Sequence, residues 1–146
     1  MTTVDLVLSF DEPPLQTNRN QNRWEVTKYR RLIREEVFLR ATAAKLPKGL
    51  PFVSVQLHYR PKISRDRDTD NLTPTAKPAC DALTQGKPAY LDKKGKPHAA
   101  VLGYGLVKDD TPKYMRRPET QIHDPLPGMP GCVWLRIEWT DEDGAA

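Results

Sequence analysis

The sequence predicts an α+β domain in which two helices pack on a small sheet of about four strands. Three observations predict it. Apolar and polar residues alternate at residues 4–10, 51–59 and 132–139, the period of a half-buried strand. Between the first two, an apolar stripe recurs at steps of three and four, the period of a helix. A second, shorter helical pattern follows and ends near Thr84.

Each element follows in order. Val4, Leu6, Leu8 and Phe10 outline the first strand, and Asp11-Glu12-Pro13-Pro14 ends it. A polar loop, residues 15–21, carries Asn18, Arg19 and Asn20. The first helix is expected from Trp24 to about Leu46, with Val26, Tyr29, Ile33, Val37, Ala41 and Ala44 on one face and Pro47-Lys48-Gly49 as its stop. Its arginines lie largely off that stripe and face either solvent or a polyanion. In the second strand Val53, Val55, Leu57 and Tyr59 share one side, and Phe52, Ser54, Gln56 and His58 the other. The second helix places Leu72, Ala76, Ala79, Cys80 and Leu83 on one face. Pro78 lacks a donor and crowds the preceding turn, so this helix either starts late, near Lys77, or is kinked there. Residues 85–102 form a lysine-rich hairpin or mobile loop. Residues 104–108 read as a short strand, Asp109-Asp110-Thr111-Pro112 as a turn, residues 121–131 as a loop, and residues 132–139 as the closing strand. The domain therefore spans residues 1–140, and the acidic tail, residues 141–146, is expected to fray.

Composition narrows the class of function. The 146 residues suit one domain. Lysine and arginine number 23 against 19 acidic residues, a net charge of +4, which suits a polyanionic partner. The N-terminus has no basic segment followed by an apolar one, so no signal peptide is expected. No apolar run approaches the ~20 residues that cross a bilayer, so no membrane role is expected. The two cysteines, Cys80 and Cys132, form no Cys-x-x-Cys pair; they read as small buried hydrophobes in a reducing, cytoplasmic setting.

The chemistry concentrates in Asp66-Arg67-Asp68-Thr69-Asp70-Asn71. Residues two apart project to the same side of an extended chain. Three carboxylates placed so repel one another unless a cation neutralises them. Oxygen donors with no histidine or cysteine nearby select Mg²⁺, Mn²⁺ or Ca²⁺ over zinc or copper. A calcium-binding EF-hand loop fails, because its sixth and twelfth positions fall on Asn71 and Lys77 rather than glycine and glutamate. The other reading is a surface loop in which Arg65 and Arg67 neutralise the aspartates. Lys77 and the Asp109-Asp110 pair, each on a different segment, favour a site.

Three stretches together resemble a known family: Arg67-Asp68-Thr69-Asp70-Asn71, Lys77 with Asp81-Ala82-Leu83 four residues on, and Val107-Lys108-Asp109-Asp110. They are similar to the motifs of RusA-type Holliday junction resolvases, especially phage-encoded forms, over about residues 4–139. The resemblance implies a mixed sheet and a magnesium-dependent endodeoxyribonuclease acting in DNA recombination and repair, with Mn²⁺ as a substitute ion. It implies Asp68, Asp70 and Asp110 as metal-binding catalytic carboxylates and Lys77 as a catalytic lysine. Asp66 has no counterpart and is left to pair with Arg65 or Arg67, or to stand as an outer-shell or substitute ligand; Asp109 is expected as support, in an outer shell. Two departures stand out. Thr73-Pro74-Thr75 is additional and must be absorbed before the helix, and residues 85–103 are longer than usual.

The expected reaction is phosphodiester hydrolysis. The expected partners are branched DNA, above all four-way junctions, and a second copy of the chain, since two matched nicks in a two-fold junction suit a two-fold dimer. Candidate DNA-binding residues are Arg19, Arg23, Arg30, Arg34, Arg65, Arg67, Lys93 and Lys94. A phage-encoded enzyme would work in the bacterial host cytoplasm. The alternatives are a nuclease with broader taste for flaps and forks, and a non-catalytic protein that binds branched DNA.

Overall fold

The computed structural model describes residues 1–64 and 67–140; Arg65, Asp66 and the expected tail at 141–146 lie outside the described residues. The order of elements is β1 (Thr2–Leu8), α1 (Arg23–Ala43), β2 (Val53–Arg60), a 3₁₀ turn (Thr69–Leu72), α2 (Thr73–Asp81), β3 (Tyr90–Leu91), β4 (Pro97–His98), β5 (Met115–Arg116), β6 (Gln121–Ile122) and β7 (Cys132–Trp139).

The alternating segments build the sheet. β7 lies between β1 and β2 and is antiparallel to both. The register puts like with like: Leu6, Leu135 and Leu57 form one row, and Leu8, Val133 and Tyr59 the next. All six are buried. Cross-strand apolar rows of this kind are the stabilising unit of a sheet. The short strands β5 and β6 pair in parallel with the other edge of β2, so the sheet is mixed and has five strands. The fold is α+β with two helices, as expected, but two strands of this sheet, β5 and β6, are only two residues long.

The helices complete the core from one side. Ile33, Val37 and Ala41 of α1 and Ala79 and Cys80 of α2 are buried in the same cluster as the sheet rows. Asn22 caps α1: its side-chain oxygen accepts from the Glu25 backbone N–H at 2.9 Å. At the other end α1 stops three residues before the expected Leu46. Lys45 takes a left-handed conformation, φ 54°. Its N–H reaches the Thr42 carbonyl and that of Leu46 reaches Ala41, a Schellman closure that tucks the buried Leu46 under the helix.

Other expectations are corrected. β1 ends at Leu8, not Phe10, because the Ser9 N–H and hydroxyl both go to the Glu36 carboxylate of α1 instead of to a strand. α2 begins at Thr73 and runs through Pro78, so a late start near Lys77 is excluded. Thr73-Pro74-Thr75 is therefore absorbed as the first turn of the helix and not before it. Residues 104–108 are not a strand. Their N–H groups are spent on the end of α2: Tyr104 donates to Ala82, Gly105 to Thr84 and Leu106 to Leu83. The 121–131 loop opens with a strand, Gln121–Ile122, held on the edge of β2. Residues 85–103 take the hairpin alternative, with β3 and β4 antiparallel. Among the described residues no helix is long and apolar enough to cross a membrane.

Candidate active site

Two clamps hold the segment that carries Asp68 and Asp70. Leu15, in the expected polar loop, is fully buried. Its N–H donates to the Thr75 hydroxyl at 3.1 Å, and that hydroxyl donates back to the Leu15 carbonyl at 2.8 Å. Two residues on, the Thr17 N–H donates to the Asn71 carbonyl at 3.0 Å and the Thr17 hydroxyl to the Asn71 side chain at 2.6 Å. Thr75 thus ties the start of α2 to the N-terminal loop. Asp68 caps the 3₁₀ turn, its Oδ1 accepting from the Asp70 N–H at 3.0 Å. Thr69 donates a short hydrogen bond to Glu119, on the segment between β5 and β6.

α2 then presents Lys77 and Asp81, four residues apart and so on one face. The Lys77 ammonium donates to Asp81 Oδ1 at 2.9 Å and makes a short hydrogen bond to Asp110 Oδ2. Arg117 approaches the same Asp110 oxygen at 3.7 Å. Two carboxylates side by side need such a cation. The hydrogen bond from Lys77 holds the Asp110 carboxyl below the usual aspartate range. The same bond holds the Lys77 ammonium above the usual lysine value. Asp109 Oδ1 accepts from the Asp110 N–H at 2.8 Å, a hydrogen bond within the turn.

Lys77 lies where two grooves meet. One, of about 590 Å³, is lined by Asp70, Thr69, Arg117 and Glu119 with Cys80. The other, of about 500 Å³, is lined by Asp81, Asp109, Asp110, Arg34, Lys87 and Lys108. Asp70, Lys77 and Asp110 therefore belong to one continuous surface. Asp68 is not on either lining, and one of its oxygens is used as the cap. Among the described residues no three histidine, cysteine, aspartate or glutamate side chains converge on one point. The donor set still fits a hard divalent cation. Asp70 on one groove and Asp110 on the other offer hard carboxylate oxygens on either side of Lys77, and Mg²⁺ takes one or two carboxylates and completes its shell with water and phosphate.

The candidate DNA-binding residues separate. Arg34 lines the Asp110 groove, and its buried Nε has no hydrogen-bond partner. Arg23 and Arg30 are exposed on α1. Arg19 pairs with Glu12 at 2.8 Å. Arg67 lies over the Tyr59 ring, 5.6 Å from its centroid, and donates to the Ile63 carbonyl at 3.1 Å. Lys93 and Lys94 are at the hairpin tip. The expected pairing of Asp66 with Arg65 or Arg67, and Arg65 itself, fall outside the described residues. Asp81, Arg117 and Glu119 are additional members. The first stands in the stretch that carries Lys77, where the sequence reading assigns it no role; nothing local marks the other two.

Cys80 and Cys132 are unpaired thiols, and burial pushes that of Cys80 up to about 12, which suits an inert core residue. A scan against protein-family models and a search of curated proteins found no match for this chain.

Proposed function

We propose that the chain is a Mg²⁺-dependent endonuclease of the RusA type that cuts branched DNA, Holliday junctions in particular, as a two-fold dimer. The observation that carries this reading is the Lys77 ammonium shared by Asp81 and Asp110 at the meeting of two grooves, with Asp70 on the wall of one. Arg34 adds support. Its guanidinium brings positive charge to the groove that holds Asp110.

Asp70 and Asp110, with Asp68 beside Asp70, would hold Mg²⁺ or Mn²⁺. That ion, when bound, polarises the scissile phosphate and lowers the pKa of water. The rest falls to the chain's own groups. Lys77 keeps its proton because two carboxylates face it, and so donates to a phosphate oxygen that gains charge as the P–O bond breaks. Asp81 holds the ammonium in place while Asp110 is otherwise engaged. Arg117 and Arg34 bring positive charge to the two grooves and orient the backbone. Water adds to phosphorus, the bond to the leaving sugar oxygen breaks, and that oxygen takes a proton.

The test is incubation of the protein with a labelled mobile four-way junction, a Y-fork and a duplex in Mg²⁺. Symmetric nicked duplexes from the junction support the reading. Equal cleavage of the fork would replace it with a broader branched-DNA nuclease. Inactivity on every substrate in both Mg²⁺ and Mn²⁺ would overturn it.

A further inference from the structure

The hairpin of residues 85–103 is built into the site and not merely attached near it. It leaves the end of α2 just after Asp81 and returns just before Asp109, so it joins the two segments whose carboxylates share Lys77. Its neck is as close as two backbones come. A Cβ on Gly86 would stand 2.2 Å from the Val101 carbonyl oxygen, and one on Gly103 would stand 2.2 Å from the Gly86 nitrogen. Only glycine fits at either place. Lys87 and Val101 then exchange both backbone hydrogen bonds, at 2.9 and 2.8 Å. The tip is equally fixed. Asp92 Oδ1 accepts from the N–H groups of Lys94 and Lys96, both at 2.9 Å, and its Oδ2 meets His98 Nε2 at 3.0 Å.

What this arm displays is specific. Tyr90 stacks flat on His98, centroids 4.6 Å apart and planes within 6°, yet Tyr90 remains 53% exposed. One face of the tyrosine is braced and the other is open. Leu91 beside it is 70% exposed. Residues 85–103 hold four lysines, Lys87, Lys93, Lys94 and Lys96, against one acid, Asp92, whose carboxylate is spent inside the turn. A rigid, half-open aromatic platform flanked by lysines matches what single-stranded nucleic acid requires, a surface for a base and charges for its phosphates.

We propose that the hairpin is a probing arm that takes an unpaired base of branched DNA on the open face of Tyr90, with Lys93, Lys94 and Lys96 on the neighbouring phosphates. This rests on the endonuclease reading above. It supplies what the grooves alone do not, a preference for distorted over continuous duplex. Tyr90 is three residues from Lys87, a reach of about 10 Å at about 3.3 Å per residue. The platform thus lies within about three base steps of the groove.

The test uses the full chain and fluorescence anisotropy on a four-way junction with unpaired bases at its crossover and on a blunt duplex, in Ca²⁺ and at several salt concentrations, with cleavage measured in parallel in Mg²⁺. Tyr90→Ala should weaken junction binding between about 5-fold and about 150-fold, the range of one base–aromatic stack, and leave duplex binding within about twofold. Tyr90→Phe should restore it. Replacing Lys93, Lys94 and Lys96 together with alanine should weaken both DNAs and flatten the logarithmic salt dependence by about two to three. Normal junction binding and cleavage by Tyr90→Ala would overturn the arm and leave the nuclease reading standing. Altered sedimentation of Tyr90→Ala with unchanged DNA binding would assign the hairpin to a second copy of the chain and overturn it too. Wild-type protein that neither binds nor cuts any branched DNA removes both readings.

Discussion

His58 should make the fold acid-sensitive, and the size of the effect follows from its surroundings. It projects from the sheet face opposite the helices and is nevertheless 1% exposed. Trp134 stacks on it at 5.2 Å, and His123 packs at 5.1 Å. Its Nδ1 lies 2.8 Å from His123 Nε2 and its Nε2 lies 3.1 Å from Gln56 Oε1. The amide oxygen requires a proton on Nε2, so Nδ1 accepts from His123 and has no room for a second proton. Burial first, then the charges of Arg136 and His123, lower its pKa from 6.5 to about 4. The unfolded chain therefore binds a proton that the folded one refuses between those values. Above pH 6.5 both states are neutral there and the group contributes no pH dependence. Below it, stability falls as pH falls, and the loss is complete near pH 4. At about 1.4 kcal/mol per pH unit the full loss is about 3 kcal/mol. Urea unfolding of the wild type and of His58→Gln, measured from pH 8 to pH 4, isolates the term from the carboxylates common to both. The wild type should lose about 3 kcal/mol more than the variant across that window. Parallel curves, or a His58 ring titrating above pH 6 by NMR, would refute the reasoning.

Three further outcomes are expected. Thr75→Val keeps the shape but leaves the buried Leu15 N–H and carbonyl without their partner; chemical denaturation should show a loss of about 1–3 kcal/mol. Lys45→Gly relieves a left-handed residue at the end of α1 and should gain about 0.5–1 kcal/mol, read as a rise of a few degrees in the melting temperature. Asp70→Asn and Asp110→Asn should each reduce junction cleavage by at least about 100-fold while leaving junction binding within a few-fold, measured by gel assay and anisotropy on the same preparations.

Residues 132–139 are legible from sequence because their alternation is unbroken and both faces of the strand have distinct surroundings; the strand has the expected bounds. The ends of α1 are less so. Pro47-Lys48-Gly49 looks like the stop, but a lysine takes the left-handed position two residues earlier, and nothing in its side chain announces that. β5 and β6 are invisible as patterns, since two residues have no period; they are strands because the edge of β2 accepts them. Residues 104–107 show the reverse. Their apolar run suggests a strand, but the carbonyls at the end of α2 take their N–H groups. The candidate site divides in the same way. Lys77, Asp70 and Asp110 belong to local motifs and are read from them. Arg117 and Glu119 reach the site only because β5 and β6 lie along β2, a tertiary fact with no local signature. Asp81 falls between: it stands in the stretch that carries Lys77, and its part shows only once the helix sets the two on one face.

The glycine neck has a consequence for how this chain can change. A hairpin closed at its base by two backbone hydrogen bonds transmits little of its own length to what lies below. Doubling such a loop costs only about 0.6 kcal/mol in closure entropy. Residues between Lys87 and Val101 can therefore be lengthened, shortened or exchanged while Asp81 and Asp110 keep their shared hold on Lys77. Gly86 and Gly103 are the opposite case, because a single methyl at either would pry the two segments apart. Variation is tolerated on one side of the neck and forbidden at it, which makes this hairpin the natural place to graft a new tip.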